Sequence, residues 1–185
     1  MRDDSATARR LASEAVKLAQ AVKPQKGFQD VQTYVTLYIV SDIAGRAAYL
    51  QSDYAAAETA ERLAVEWRKK YLTDAVGDRR DVAIKSTWLA MALAREGKLD
   101  AAAQMIGPAV QFERELAAKN HGDQWVPVEL AGALYVLALA DRKESAVLLR
   151  EAARLLDGTA LPVRNTHDVR LWREWIRQAL KSRQI

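Results

Sequence analysis

The chain has no cysteine, which excludes a disulfide framework, thiolate metal sites and a cysteine nucleophile. Histidine is scarce too. His121 and His167 lack a second histidine or a carboxylate at helical i+3 or i+4 spacing, so no metal and no cofactor is expected. Long apolar runs are missing as well: the best candidate, Tyr34 to Ala44, is broken by Thr36, Ser41 and Asp42, far short of a bilayer span. Behind Arg2 there is no apolar stretch of the kind a signal peptide needs. A soluble, cytoplasmic protein is expected, or a periplasmic one if a leader has been removed. Gly97-Lys98 lacks the glycines of a phosphate loop, and no serine sits in a Gly-x-Ser-x-Gly setting. Glu58 and Glu61, like Glu113 and Glu115, have basic neighbours and read as solvated helix faces. A non-enzymatic role follows as the expectation.

What remains is half hydrophobic and 28% charged, a globular composition. The net charge of +4 is localised. From Pro162 onward there are six Lys or Arg against two Asp or Glu, while the rest of the chain balances at 22 of each sign. Apolar and alanine positions recur at three- and four-residue spacing, and period-two alternation is nearly absent. This pattern predicts helices over about 5–22, 30–51, 53–72, 81–96, 100–118, 127–140, 143–156 and 168–181. Pro24 with Gly27, the segment 73–81, Gly97 as a left-handed cap, Asn120–Asp123 and Gly158–Pro162 separate them. Pro108 predicts a kink within the fifth helix. Asn165, Thr166 or Asp168 is expected to cap the last. Short connections make neighbouring helices antiparallel. The reading is one all-α domain over 1–185: an N-terminal helix within 1–23, hairpins at 30–72, 81–118 and 127–157, and a capping helix at 168–182.

The hairpins carry small residues at matched places. The middle one has Leu89-Ala90, Leu93, then Ala102, Ile106 and Ala109; the first has Ala44-Gly45, Ala48, then Ala57 and Ala64. The last has Ala133-Leu134, Leu137, then Ala146 and Ala153, with Glu61 and Arg150 where the middle hairpin has Ile106. This pattern resembles the tetratricopeptide family, with repeats of about 45 residues in place of ~34. The resemblance implies antiparallel hairpins stacked as a right-handed array of about three hairpins plus capping helices. Ala8, Ala12 and Ala15 have the spacing of a second helix, as in half of a truncated repeat.

By the family's offsets, Asp42, Arg46, Tyr49, Thr87, Trp88, Met91, Arg95, Ala131 and Tyr135 would line a concave groove. The implied function is a protein-interaction scaffold, such as one of a bacterial signalling or assembly system, holding a peptide or helix of a partner. Trp88, Met91 and Tyr135 fit a hydrophobic core equally well. The last helix puts Val169, Trp172, Trp175, Ile176 and Ala179 on one side, and Arg170, Arg173, Arg177 and Lys181 on the other. It is expected to dock on the final hairpin as a cap. The alternative use of its basic face is nucleic acid or an anionic surface, for which four charges are a small footprint. An apolar flank at the N-terminal edge of an array would be covered by a symmetric homodimer or by further chain.

Overall fold

A computed structural model describes residues 7, 10, 11, 14, 17, 18, 21, 28–70, 73 and 75–182. The expected first helix, over 5–22, lies largely outside them. Seven longer helices and one four-residue helix are present among the described residues, without any strand. Consecutive helices pack in pairs, so the chain is all-α, and it divides into two compact units that meet at Gly97 and Lys98. No helix among the described residues is long and apolar enough to cross a membrane.

The first unit contains α1 (Phe28–Leu50), α2 (Tyr54–Lys70) and α3 (Val76–Arg95). A three-residue turn joins α1 to α2. Ser52 takes φ 62°, a left-handed conformation rare for any residue but glycine. The Asp53 carboxylate then accepts from the Ala56 N–H at 3.2 Å, capping α2. Ala57, Ala60 and Ala64 form much of the buried stripe of α2, matched on α1 by Ala44, Gly45 and Ala48. These small residues let the two backbones approach. At Gly45 the space of a side chain is already taken, since a Cβ built there would stand 2.5 Å from Glu61 Oε1. Towards the far end of this hairpin, Tyr34, Leu37 and Trp67 form a core cluster, the two rings 5.2 Å apart.

Helix α3 begins at Val76, five residues before the expected start. Charged residues of the segment 73–81, expected to separate two helices, instead build the helix N-terminus. Asp78 sits in the first turn, where a carboxylate faces unsatisfied N–H groups. It accepts from the Thr73 hydroxyl, from the Thr73 N–H at 3.0 Å and from the buried guanidinium of Arg68. Arg68 also donates to Asp81 at 3.1 Å, so one arginine of α2 holds the start of α3. The Thr73 hydroxyl, with Arg68 beside it, lowers the Asp78 pKa from 3.8 to about 2. A depressed carboxyl stabilises the fold above its ordinary pKa and loses that contribution as pH falls through the folded value. In acid titrations followed by circular dichroism, Asp78→Asn is therefore expected to be less stable than wild type near pH 5. The gap should close as pH falls towards 2. A gap that persists unchanged into strong acid would remove the ionic account.

The second unit contains α4 (Leu99–Lys119), α5 (Val126–Ala140), α6 (Ser145–Asp157), α7 (Leu161–Arg164) and α8 (His167–Lys181). Helix α4 runs through Pro108 without a break. Helix α5 is apolar on all sides and buries every residue from Leu130 to Val136, as expected of a central helix. It packs between α4 and α6, and α8 lies on α6 and α5. The contact face of α8 is Val169, Trp172 and Ile176. Thr166 is the N-cap residue of α8 by position, yet its hydroxyl donates back to Val163 O at 2.8 Å. His167 opens the helix, and His121 is exposed in its turn.

One sequence assignment moves by a residue. The buried pattern on α2 is Ala57, Glu61, Ala64, and on α4 it is Ala102, Ile106, Ala109. On α6 it is Ser145, Leu149 and Ala152, whereas Ala146 and Arg150 are exposed and Ala153 is half-buried. An arginine without a buried partner belongs in water, and Leu149 takes the apolar place. On α5 both Ala133 and Leu134 are buried, so apolarity alone could not fix the register there. Gly45, Ala90 and Ala133 each precede the first buried small residue of the next helix by 12 positions.

Candidate functional site

In the first unit, α1 and α3 gather five of the expected groove residues. The Asp42 carboxylate is the hub. Its Oδ1 accepts from Arg46 Nε at 3.1 Å, and its Oδ2 lies 2.9 Å from Lys85 Nζ. The Arg46 guanidinium stands 4.8 Å from the centroid of the Trp88 ring, a cation–π contact. Trp88 meets Tyr49 edge-on at 5.9 Å, Tyr49 meets Tyr54 at 5.3 Å, and Arg95 Nε donates to the Tyr49 hydroxyl at 2.9 Å. Burial pushes the Tyr49 phenol up, against the pull of Arg95. Tyr49 and Trp88 are each only 6% exposed, so the aromatic part of this arrangement is core. The accessible members are Arg46, half-buried, and Arg95, exposed.

The other expected groove residues lie elsewhere. Thr87 is buried with its hydroxyl turned onto Ala83 O at 2.9 Å, and Met91 is fully buried. Ala131 and Tyr135 are buried in the second unit. Tyr135 stacks on Trp175 at 6.1 Å and meets Trp172 edge-on at 5.9 Å, so the last helix covers it.

Glu61 was read as solvated, and this is corrected. Glu58, half-buried, does pair with the exposed Arg62 at 2.6 Å, but Glu61 is 1% exposed. Neither of its carboxylate oxygens has a hydrogen-bond partner among the described residues. Burial pushes the Glu61 carboxyl well above the usual carboxylate range, and Asp42 adds to this against Arg46 and Lys85. Glu61 thus sits over Gly45 beside a carboxylate already held by two cations. Its position was legible: it lies between Ala57 and Ala64, where α4 has Ile106. Glu113 is likewise buried, while Glu115 is exposed and accepts from Gln111. Lys85, 8% exposed, was missed because nothing in its spacing marks it as the partner of Asp42.

On α8 the four basic residues separate. Arg173 donates to Leu156 O and lies 3.6 Å from Asp157, tying α8 to the end of α6. Arg177 pairs with Glu174 at 2.7 Å. Arg170 and Lys181 are exposed. Two of the four guanidinium or ammonium groups thus serve the protein itself, which shrinks the electrostatic footprint. The second unit also has an open cleft of about 340 Å³ lined by Pro127, Glu151, Arg154, Leu155 and Gly158. Among the described residues, no three His, Cys, Asp or Glu side chains gather as a metal site would require.

Comparison of the chain with protein-family models, with curated proteins and with solved structures gives no match.

Proposed function

We propose that the chain is a scaffold of helical hairpins similar to the tetratricopeptide type, and that it binds a peptide or helix of a protein partner. The observation that carries this reading is the matched placement of buried small residues. Gly45 and Ala57, Ala90 and Ala102, and Ala133 and Ser145 are each 12 residues apart. Seven residues after Gly45 and after Ala90, Ser52 and Gly97 both take positive φ, so the turns recur at the same place. A chain that repeats buried small residues at one spacing, with the turn at the same place in two of its hairpins, has the sequence design of an array. Such arrays expose extended first-helix faces and bind other chains there. What they bind is set by the side chains on that face and not by the fold.

Arg46 and Arg95 are the accessible members of the proposed binding face, with Asp42 and Tyr49 fixing their directions. Two guanidiniums select a partner that presents acidic side chains or a helix C-terminus. The test compares wild type with Arg46→Glu combined with Arg95→Glu as baits in a native lysate. The charge-reversed chain is expected to keep its helical circular dichroism and to lose the specific partner. An identical set of captured proteins from both baits would remove this face from consideration. Trp88→Ala is unsuitable as a bait because it truncates a core residue.

The basic face of α8 is the competing surface. Fluorescence anisotropy with labelled duplex DNA at rising salt separates the two, since phosphate binding falls steeply with salt. Binding lost on Arg170→Gln together with Lys181→Gln would favour α8.

A further inference from the structure

Helix α6 has two faces. Leu148, Leu149, Ala152 and Leu156 are buried, while Val147 and Arg154 are exposed and Glu151 is half-buried. Val147, Glu151, Arg154 and the C-cap residue Gly158 stand at i, i+4, i+7 and i+11, one outer stripe about 16 Å long. The stripe ends in the open cleft of about 340 Å³, where Leu155 and Pro127, at the start of α5, supply apolar walls.

Gly158 keeps this cleft open, and neither backbone nor packing calls for glycine there. Its φ of −77° and ψ of −7° suit any residue. A Cβ would meet only the carbonyl oxygens of Arg154 and Leu155, at an ordinary 3.6 Å. The two charges lining the cleft are unequal. Glu151 Oε2 accepts from Arg114 Nη2 of α4 at 2.8 Å and is thereby taken. The Arg154 side chain makes no ion pair or hydrogen bond among the described residues. So open a cleft does not enclose a small molecule, whose sites bury most of the ligand. It suits a single anchoring side chain of an incoming chain, with an apolar body in the pocket and polar groups at the rim. The unpaired guanidinium sets the sign of that rim, because a carboxylate satisfies it and an ammonium does not.

We propose that the cleft between the start of α5 and the end of α6 seats a large apolar side chain of a partner peptide, with an adjacent Asp or Glu carboxylate on Arg154. Val147, about 10 Å back along α6, offers the next apolar contact. The proposal rests on the scaffold reading for the kind of partner, and not on the α1–α3 face.

The test follows backbone amide resonances of the isotope-labelled chain by NMR. The probes are the capped dipeptides acetyl-Trp-Asp-amide, acetyl-Trp-Lys-amide and acetyl-Ala-Asp-amide, with indole-3-acetate as the small carboxylate. The Trp-Asp peptide is expected to give saturable shifts confined to residues 151–158 and the start of α5. The Trp-Lys peptide should bind about two- to five-fold more weakly, the measure of an exposed ion pair, and the Ala-Asp peptide should not bind detectably. Gly158→Leu, which puts bulk into the cleft, should abolish the shifts while leaving the circular dichroism unchanged. Arg154→Glu should invert the preference between the Asp and Lys peptides. No saturable shift at these residues, equal affinity for the Asp and Lys peptides, or undiminished binding by Gly158→Leu would each overturn the proposal. Tighter binding of indole-3-acetate than of the Trp-Asp peptide would assign the cleft to a small carboxylate and overturn it as well. The readout is local to the cleft, so its failure is distinguishable from failure of the scaffold reading, which the capture experiment at Arg46 and Arg95 judges.

Discussion

Trp172→Ala is expected to be among the most damaging single substitutions in the second unit, costing about 3–5 kcal/mol. Trp172 is 7% exposed and stands at the junction of α8 with α5, meeting Trp175 edge-on at 5.2 Å and Tyr135 at 5.9 Å. Its indole lies over Gly132, where a Cβ would come within 3.0 Å of the ring. Removing it leaves a cavity against a helix already buried on all sides, and α5 has no slack to close it. In a chain of this size the loss corresponds to a Tm drop on the order of 10 °C, followed by far-ultraviolet circular dichroism. Gly132→Ala should also destabilise, because the added methyl drives the indole off the helix. The two changes are coupled. In the Trp172→Ala background, Gly132→Ala should become nearly harmless, since the methyl then fills space. Additive losses in the double variant would mean that Trp172 does not occupy the Gly132 notch.

The same junction shows what could and could not be read from the chain. The apolar side of α8 and its role as a cover follow from Val169, Trp172 and Ile176 at helical spacing. Gly132, by contrast, carries no mark in the sequence, and its use as a seat for Trp172 depends on a contact forty residues away. Helix positions were legible where an apolar stripe met a turn residue. They failed at α3, whose first turn is built from Asp78 and the residues around Gly77. There a long-range ion pair with Arg68 outweighs the local cost of glycine. The register of the third hairpin slipped because α5 is apolar on all sides and offers no polar edge to count from. Within the candidate site the aromatic positions were anticipated, and for Trp88 and Tyr135 the core reading holds over the groove reading. Tyr49, Trp88 and Tyr135 pack inward, leaving Arg46 and Arg95 as the accessible members of the expected groove. The Asp42–Lys85 pair and the burial of Glu61 arise between helices, where spacing along one helix carries no information.

Glu61 gives the second large effect, and its sign runs against the usual behaviour of carboxylates. Its folded-state pKa lies above its unfolded value, chiefly through burial. The corresponding stability is whole below the ordinary carboxylate range and is lost as pH rises through the raised value. Each pH unit between the two values costs about 1.4 kcal/mol. Glu61→Gln keeps the shape and cannot ionise, so its advantage over wild type should grow as pH is raised from 4 and then level off. Urea unfolding across pH 4–8 measures the difference directly. Glu61→Leu, which supplies the apolar residue found at Ile106 and Leu149, should stabilise by about 1–4 kcal/mol at neutral pH. Asp78 titrates with the opposite sign, and its contribution changes only in the acid range, where it is lost as pH falls towards 2, so the two contributions separate along the pH axis. A pH-independent difference between wild type and Glu61→Gln would mean that the carboxyl reaches water or a partner when ionised. Gly45→Ala probes the same contact from α1, and the carboxyl 2.5 Å from the new methyl should make it one of the costliest glycine changes in the chain. Glu61→Ala in the same molecule should rescue it. Rescue by Glu61→Ala but not by Glu61→Gln would locate the conflict in side-chain volume and not in charge. The close approach of α1 to α2 would then be set by the smallness of residue 45, with the buried carboxyl only a tenant of the space.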